Sequence, residues 1–386
     1  MVSSLAILRE SKTDTQGREI ENRVAMLPAQ VAQLIERAPQ VEIFVESGAG
    51  EKIGYRDEQY AEAGAKLCSH TEALDKDIVV GVKETKTADF PRLRNNLFIS
   101  YQHFAQSFDR TTLALQASRE KGTAFLALET METIKDGCPF FPCLAPMSEA
   151  AAKVIARHAD EFALLSKKII SSGLPETGLK GLKTVVLGGG RVGQTAAEEF
   201  SERGCRVILL EKNPLRVKAL ADYFKSHDLR FPNVTVLEMS PSNLRNTIKE
   251  AFFLVSAIYN AGKKPEKLVT LDLLRTMRAG GCLYPVDIDQ GGGIEGVLET
   301  SLLEPFNLPT VPGSEVFFFA PPNLPSMGAL TASEALGIVL LPYVIEIAQK
   351  WLYKAKDDNP IINSGVNIEG GKIVHPGLAS VFPGLK

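Results

Sequence analysis

Three short stretches carry residue types that can handle a small anion. "NRVAMLP" places Arg23 just after a polar loop, "VVGVKET" places Lys83 at the end of an apolar run, and "FISYQHFA" places His103 just past another. In open parallel sheets, ligands gather outside the carboxyl ends of strands. Two cations there can hold a carboxylate, and a histidine can exchange a proton near neutral pH. Taken singly, each has a blander reading: a lone Arg or Lys is usually solvated and a lone His structural. A fourth stretch, "YPVDIDQGGG", sets Asp287 and Asp289 beside flexible glycines. Strand alternation points both to the same side. They serve either to cap the following loop or to do acid–base work and stabilise a developing ammonium.

A fifth stretch is built to bind. In "TVVLGGGRVGQTAAEEF" (184–200) an apolar run meets a glycine turn and then a helical pattern. Gly188 lets the chain turn off the strand, Gly190 lets backbone approach a pyrophosphate, and Gly193 lets helix and sheet pack closely. The helix start, with Arg191 and Val192 in its first turn, offers free N–H groups and a partial positive charge. "RVILLEK" then sets Glu211 at a second strand's end, 23 residues after Gly188. An acid there accepts ribose hydroxyls and repels a 2′-phosphate, which predicts NAD over NADP. Lys212 and Arg216 lie close by and soften that preference.

The elements that must position these residues read as α/β throughout. Apolar runs at 5–8, 41–47, 77–83, 97–100 and 123–129 alternate with helical patterns at 28–37 and "YAEAGAKL". A long helix over 147–167 and a turn-rich linker at 171–181 lead to a second series. It has strands at "TVVLG", "RVILLE", "VTVLEM", "FLVSAI" and "CLYPVDI", with helices over 191–203, 214–225 and 270–278. A helix over 331–351 and a loop-rich tail follow. The predicted fold is two Rossmann-like domains, each a parallel sheet with helices on both faces. Residues 1–140 with 330–386 form a discontinuous substrate domain, and residues 141–329 form the nucleotide domain. The active site is expected in the cleft between them, with the two long helices as a hinge.

Bulk properties narrow the function. A chain of 386 residues is too long for one ordinary core. A net charge of −3 without a long basic run argues against nucleic-acid or membrane-surface partners. The start lacks a signal peptide's basic and apolar regions, and no apolar stretch reaches the roughly 18 residues of a membrane span. Five scattered cysteines argue against a disulfide framework and for a cytoplasmic location.

Taken together and in order, "RVAMLP", "ESGAGEKIGYRDEQYAEAGA", "VKE", "LAPMSEAA", "VVLGGGRVGQTAA", "PEKLVTLDLLRTMRAGG", "DIDQGGG" and "NLP" resemble alanine dehydrogenase and the NAD-binding domain of proton-translocating transhydrogenase. Lysine-forming saccharopine dehydrogenase shares the architecture and the Arg, Lys and His positions. The resemblance implies an NAD-dependent dehydrogenase interconverting an L-amino acid with its 2-oxo acid. It implies that Arg23 and Lys83 bind the substrate carboxylate, that His103 contacts the reacting carbonyl oxygen and that Asp289 is the catalytic aspartate. It places Met147, Ser148 and Asn323 near the nicotinamide, and Ser256 and Ala257 along the cofactor groove. The partners are small molecules, with a homo-oligomer as the expected assembly. Some residues depart from the pattern. The glycine-rich loop before the nucleotide turn is missing, the histidine stretch has one extra residue, and Pro285 replaces an aspartate while Asp287 is added. "EVFFFAPPNLPSMGALTA" is more apolar than its counterpart. These departures motivate an alternative: an opine- or saccharopine-type enzyme that reduces an imine between a 2-oxo acid and a larger amine.

Overall fold

The computed structural model describes residues 3–14, 16–135, 137–169, 178–258, 267–288 and 292–385. The chain divides into two compact units, residues 1–147 with 328–386, and residues 148–327. Along the chain, the first unit contributes strands β1 (Ser4–Ile7), β2 (Glu42–Glu46), β3 (Lys66–Cys68), β4 (Ile78–Val80), β5 (Leu97–Ser100) and β6 (Ala124–Ala127). A small hairpin of β7 (Thr133–Lys135) and β8 (Cys138–Phe140) follows. The second unit holds β9 (Lys183–Leu187), β10 (Arg206–Glu211), β11 (Val234–Glu238), β12 (Phe253–Ser256), β13 (Cys282–Pro285) and β14 (Phe317–Phe318). The chain then returns to the first unit with β15 (Val366–Glu369) and β16 (Lys372–Ile373).

Both sheets follow the same winding. The first has the order β16-β15-β6-β5-β4-β1-β2-β3 and the second β11-β10-β9-β12-β13-β14. In each, the chain winds outward from its first strand and then crosses to that strand's other side, which creates a switch point. Strands β1 to β6 are parallel, the returning β15 pairs antiparallel with β6, and β16 pairs antiparallel with β15. Alternation explains why the strands read as nearly continuous apolar runs. In β9, Val186 packs into the cluster with Phe200 and Phe253, while Val185 and Leu187 pack into the opposite cluster with Leu254 and Leu283. Both faces are covered, so neither can be polar.

Several elements differ from the sequence reading. Lys66 and Leu67, the end of the expected helix "YAEAGAKL", begin strand β3 instead, because that helix stops at Glu62 and Gly64 turns at φ +95°. The tail is ordered: the helix Pro360–Gly365 feeds β15, which pairs with the edge strand β6. The helix expected at 270–278 is the single turn Leu271–Leu274. Most of the expected linker lies outside the described residues. The helical run Leu324–Asp358 is long and apolar enough, by length and composition, to cross a membrane, although half of its most apolar window is buried inside the protein. Within the first unit, its Ser333 hydroxyl accepts the Val24 N–H and its Glu334 carbonyl accepts from Gln30. Cys68, Cys143, Cys205 and Cys282 are buried free thiols.

The second unit buries one histidine completely among aromatic rings. His158, on the helix Leu144–Ile169, stacks on Phe319 at 3.8 Å between ring centroids and on Phe306 at 4.9 Å. One ring nitrogen pairs with the Tyr284 hydroxyl at 3.1 Å and the other with the Pro305 carbonyl at 2.7 Å. These partners fit a neutral ring that donates to the carbonyl and accepts from the hydroxyl. Burial pushes its pKa down to about 4, partly opposed by the Pro305 carbonyl. The unfolded chain therefore binds more protons between the ordinary value and that one, so stability rises with pH there. We predict a loss of about 3 kcal/mol from this group as pH falls from 6.5 to 4. Chemical denaturation across that range checks it: His158→Gln should show a shallower fall than the unaltered protein, and equal slopes would contradict the assignment.

Candidate functional site

The first unit concentrates chemistry at one end of its sheet because its strands are in register. Ile7 aligns with Val80, Val80 with Ile99, and Ile99 with Leu126. A few residues past those aligned positions come Glu10, Lys83, His103 and Glu129, so four neighbouring strands deliver them to the same edge. The β1/β4 boundary, where Glu10 and Lys83 meet, is the switch point of this sheet.

Arg23 is only 3% exposed and Glu21 is fully buried. The guanidinium donates to both Glu21 carboxylate oxygens, at 2.8 and 2.6 Å, and to the Met147 sulfur at 2.9 Å. Burial by itself raises the Glu21 carboxyl, yet the Arg23 charge and its hydrogen bonds outweigh this and hold it at about 2. An incoming carboxylate must therefore share Arg23 with Glu21. Glu10 shows the opposite balance: burial and the Glu21 charge raise it to about 7. Its carboxylate accepts the Val82 N–H at 2.5 Å and the Lys83 N–H at 3.2 Å.

Lys83 is half-buried, and its ammonium makes no hydrogen bond or ion pair with any described residue. Burial, together with the charges of Arg23 and Lys12, lowers its pKa, against the pull of Glu84 and Glu21. His103 is also half-buried, and its ring nitrogens have no hydrogen-bond partner among the described residues. Its ring stacks on Tyr101 at 6.2 Å and 14°. Burial and then the Lys83 charge push the imidazole down to about 4, so it is neutral at pH 7. Two half-buried polar tips thus have no hydrogen-bond partner among the described residues, in a scaffold whose other charges pair or hydrogen-bond internally.

The second unit supplies the glycine turn at its own switch point, between β9 and β12. Gly188 sits at φ +93°, and a Cβ there would lie 2.6 Å from the Ala257 carbonyl oxygen. A Cβ on Gly193 would lie 1.8 Å from the Gly188 oxygen, so helix and strand touch through glycine alone. Gly190 is different: nothing lies within 4 Å of an added Cβ. That open space, at the N-terminus of the helix Arg191–Glu202, fits a nucleotide pyrophosphate. The Glu211 carboxylate accepts the Gly189 N–H at 2.6 Å and the Asn213 N–H at 2.8 Å, which holds it beside the turn. Arg216 donates to the Gly189 carbonyl at 3.0 Å and to Gln194 at 2.9 Å. Arg191 is tied to Glu149, and Val192 packs against the core.

The remaining candidates are placed as follows. Ala257 abuts Gly188, and the Ser256 hydroxyl is buried and donates to Asp287 at 3.0 Å. Asp287 also accepts the Gly293 N–H at 2.9 Å, so it caps the loop; strand β13 ends at Pro285, before alternation could align it with Asp289. Asp289 lies outside the described residues. Met147 is buried against Arg23, Ser148 is half-buried, and Asn323 is buried at φ +65°. The apolar run "EVFFF" is largely core: Phe319 stacks on His158 and Phe317 packs against Phe162. Sequence reasoning missed Glu10, Glu21 and Glu129. Glu129 closes the strand-like stretch "TAFLALE", and an acid at that position was the available signal.

Comparison with known proteins gives a consistent result. Residues 6–151 match the family profile described as "Alanine dehydrogenase/PNT, N-terminal domain" and residues 152–376 match "Alanine dehydrogenase/PNT, C-terminal domain". Alanine dehydrogenase 1 of Staphylococcus aureus is 32% identical over 381 residues, covering 97% of this chain and 96% of that protein. A solved L-alanine dehydrogenase superposes with a TM-score of 0.84 at 29% identity, over 99% of this chain and 100% of that one. A transhydrogenase from Sinorhizobium meliloti shares the fold, with a TM-score of 0.73 at 17% identity over 97% and 99% of the two chains.

The glycine geometry separates folding from binding. Gly193→Ala should lower the melting temperature markedly, because backbone must move. Gly190→Ala should leave stability within about 0.5 kcal/mol but abolish most of the thermal stabilisation by NADH. Melting curves with and without NADH check both, and an undiminished NADH response in Gly190→Ala would contradict the cradle.

Proposed function

The chain belongs to the alanine dehydrogenase/PNT family, an NAD-dependent family, and from that premise we propose that it interconverts a small L-amino acid with its 2-oxo acid and ammonia. The observation that carries this reading is the pair of unsatisfied polar tips, Lys83 and His103, side by side at a sheet's switch point. A binding protein with no chemistry to perform has no need of a half-buried neutral histidine next to a cation.

NAD would be held at the Gly188–Gly193 turn and by Glu211, and when bound would supply the hydride acceptor or donor for the amino acid's α-carbon. Lys83 binds the substrate carboxylate, with Arg23 adding positive charge behind it through its shared contact with Glu21. This fixes which face of the α-carbon is presented, and such positioning contributes roughly 7–11 kcal/mol to barrier reduction in good cases. Loss of hydride leaves a substrate imine, to which water adds at carbon. His103, neutral at pH 7, takes the hydroxyl proton as the carbinolamine collapses to carbonyl and ammonia, and returns it in the reverse direction. Asp289 is assigned to the cationic imine by its position before "QGG". A cytoplasmic location accompanies this reading and is supported by the buried free thiols.

An NADH-oxidation screen of 2-oxo acids against ammonia and several amines tests the substrate class. The reading expects turnover with a small 2-oxo acid and ammonia. Turnover only with a larger amine or diamino acid would replace it with the opine- or saccharopine-type reaction. Within the active pair of substrates, Lys83→Met should raise the KM for the oxo acid by about 10- to 100-fold, the loss of one charge-assisted contact. His103→Ala should lower kcat by about 100-fold or more. Undiminished turnover by His103→Ala would overturn the assignment.

A further inference from the structure

His103 is held in an unusual backbone conformation. Its φ of +47° and ψ of +39° lie in the left-handed region. A residue with a Cβ enters that region at a cost of roughly 1–2 kcal/mol, and strain of this kind persists only where surrounding contacts enforce it. The structure identifies what enforces it. The Glu129 carboxylate, arriving from the end of the neighbouring strand β6, accepts the His103 N–H at 2.6 Å and the Gln102 N–H at 3.1 Å. Each oxygen takes one of two consecutive N–H groups, so the carboxylate clamps the peptide between them as well as the residue itself.

The opposite side of that peptide is pinned too. The Gln102 side chain is fully buried and donates to Ser100 at 2.9 Å and to Thr85 at 3.0 Å. Arg110 donates to the Gln102 carbonyl. Gln102 can therefore rotate little, and His103 itself is held from two sides: Glu129 accepts its N–H, and its carbonyl accepts the Gln106 N–H at 3.1 Å. The His103 ring stacks on Tyr101, and its nitrogens make no hydrogen bond with any described residue. The carboxylate does not touch the ring nitrogens; its influence runs through the backbone.

We propose that Glu129 is a positioning residue for the dehydrogenase reaction: by accepting two successive backbone N–H groups it locks His103 in the left-handed turn and aims its imidazole at the substrate oxygen. The inference rests on the catalytic reading of His103 and extends it to a residue that sits on a different strand. Glu129 is the equivalent, on the other side of the β4–β5 pair, of Glu10, which accepts the N–H groups of Val82 and Lys83.

Steady-state kinetics on three variants of the full-length protein test it. Glu129→Gln keeps one oxygen acceptor at the same reach but turns an NH2 donor toward the second backbone N–H, and should lower kcat by about 10-fold. Glu129→Asp keeps the charge but withdraws the oxygens by one methylene, and should lower kcat by about 10- to 100-fold. KM values for NADH and the oxo acid should change little, since Lys83 and the nucleotide turn are untouched. Glu129→Met should lose at least as much kcat as Glu129→Asp. Melting temperatures measured alongside separate misaiming from unfolding, and should Glu129→Met not fold, the Gln and Asp variants decide alone. Wild-type kcat in Glu129→Asp would overturn the proposal. So would an unchanged kcat in Glu129→Gln, or a rise in both KM values that matches the loss of kcat. If His103→Ala is inactive while the Glu129 variants are normal, the positioning role fails and the catalytic reading stands. If His103→Ala is fully active, the catalytic reading itself fails.

Discussion

Charge buried at the end of a parallel sheet must be balanced where it lies, and the first unit is organised around that constraint. An isolated ion in a protein interior costs several kcal/mol even after relaxation. Here Glu21 and Arg23 answer each other through a two-pronged contact, with both side chains almost wholly buried. Glu10 and Glu129 answer their burial with backbone N–H groups, and burial raises the pKa of each to about 7. Once these groups are satisfied, Lys83 and His103 are left with polar tips that no described residue meets. A ligand bearing a carboxylate next to a carbonyl or amine supplies what both lack.

The two units solve different problems with one winding order. Both sheets cross over between their first and fourth strands, counted within each unit, and both place their functional groups there. In the second unit the crossover is lined with backbone. Gly188 approaches Ala257 so closely that no side chain fits, and the bare Gly190 leaves room for phosphate. In the first unit the same location is lined with charged side chains. Backbone N–H groups suit a diphosphate that must be held without reaction, whereas titratable side chains suit a substrate that exchanges protons. The difference follows from which residues stand in the first few places past each strand.

What could be read from the sequence depended on how local the physics was. The glycine turn could be assigned residue by residue, because each glycine answers a constraint set by its nearest chain neighbours and by one packed helix. Lys83 and His103 could be placed at strand ends because apolar runs stop just before them. Glu21 was overlooked although it lies two residues from Arg23, since its burial is a tertiary fact with no signature in "IENRVAM". Glu129 likewise acts on a residue 26 positions away, through backbone groups that every residue has. Short elements escaped for another reason. Strand β3 is three residues long, and the tail's β15 and β16 are separated by Gly370 and Gly371, so turn composition outweighed two brief apolar segments. At Asp287 the strand has already ended at Pro285, short of the expected "CLYPVDI", and the side chain caps the following loop, one of the two roles its position offered.

The account stands on the claim that the bare tips of Lys83 and His103 are the substrate's seat. A crystal structure of the protein with NADH and a 2-oxo acid tests this most directly. It should show the carboxylate within about 3 Å of the Lys83 nitrogen and the carbonyl oxygen at hydrogen-bond distance from the His103 ring. An oxo acid bound elsewhere, with those two tips still empty, would contradict it.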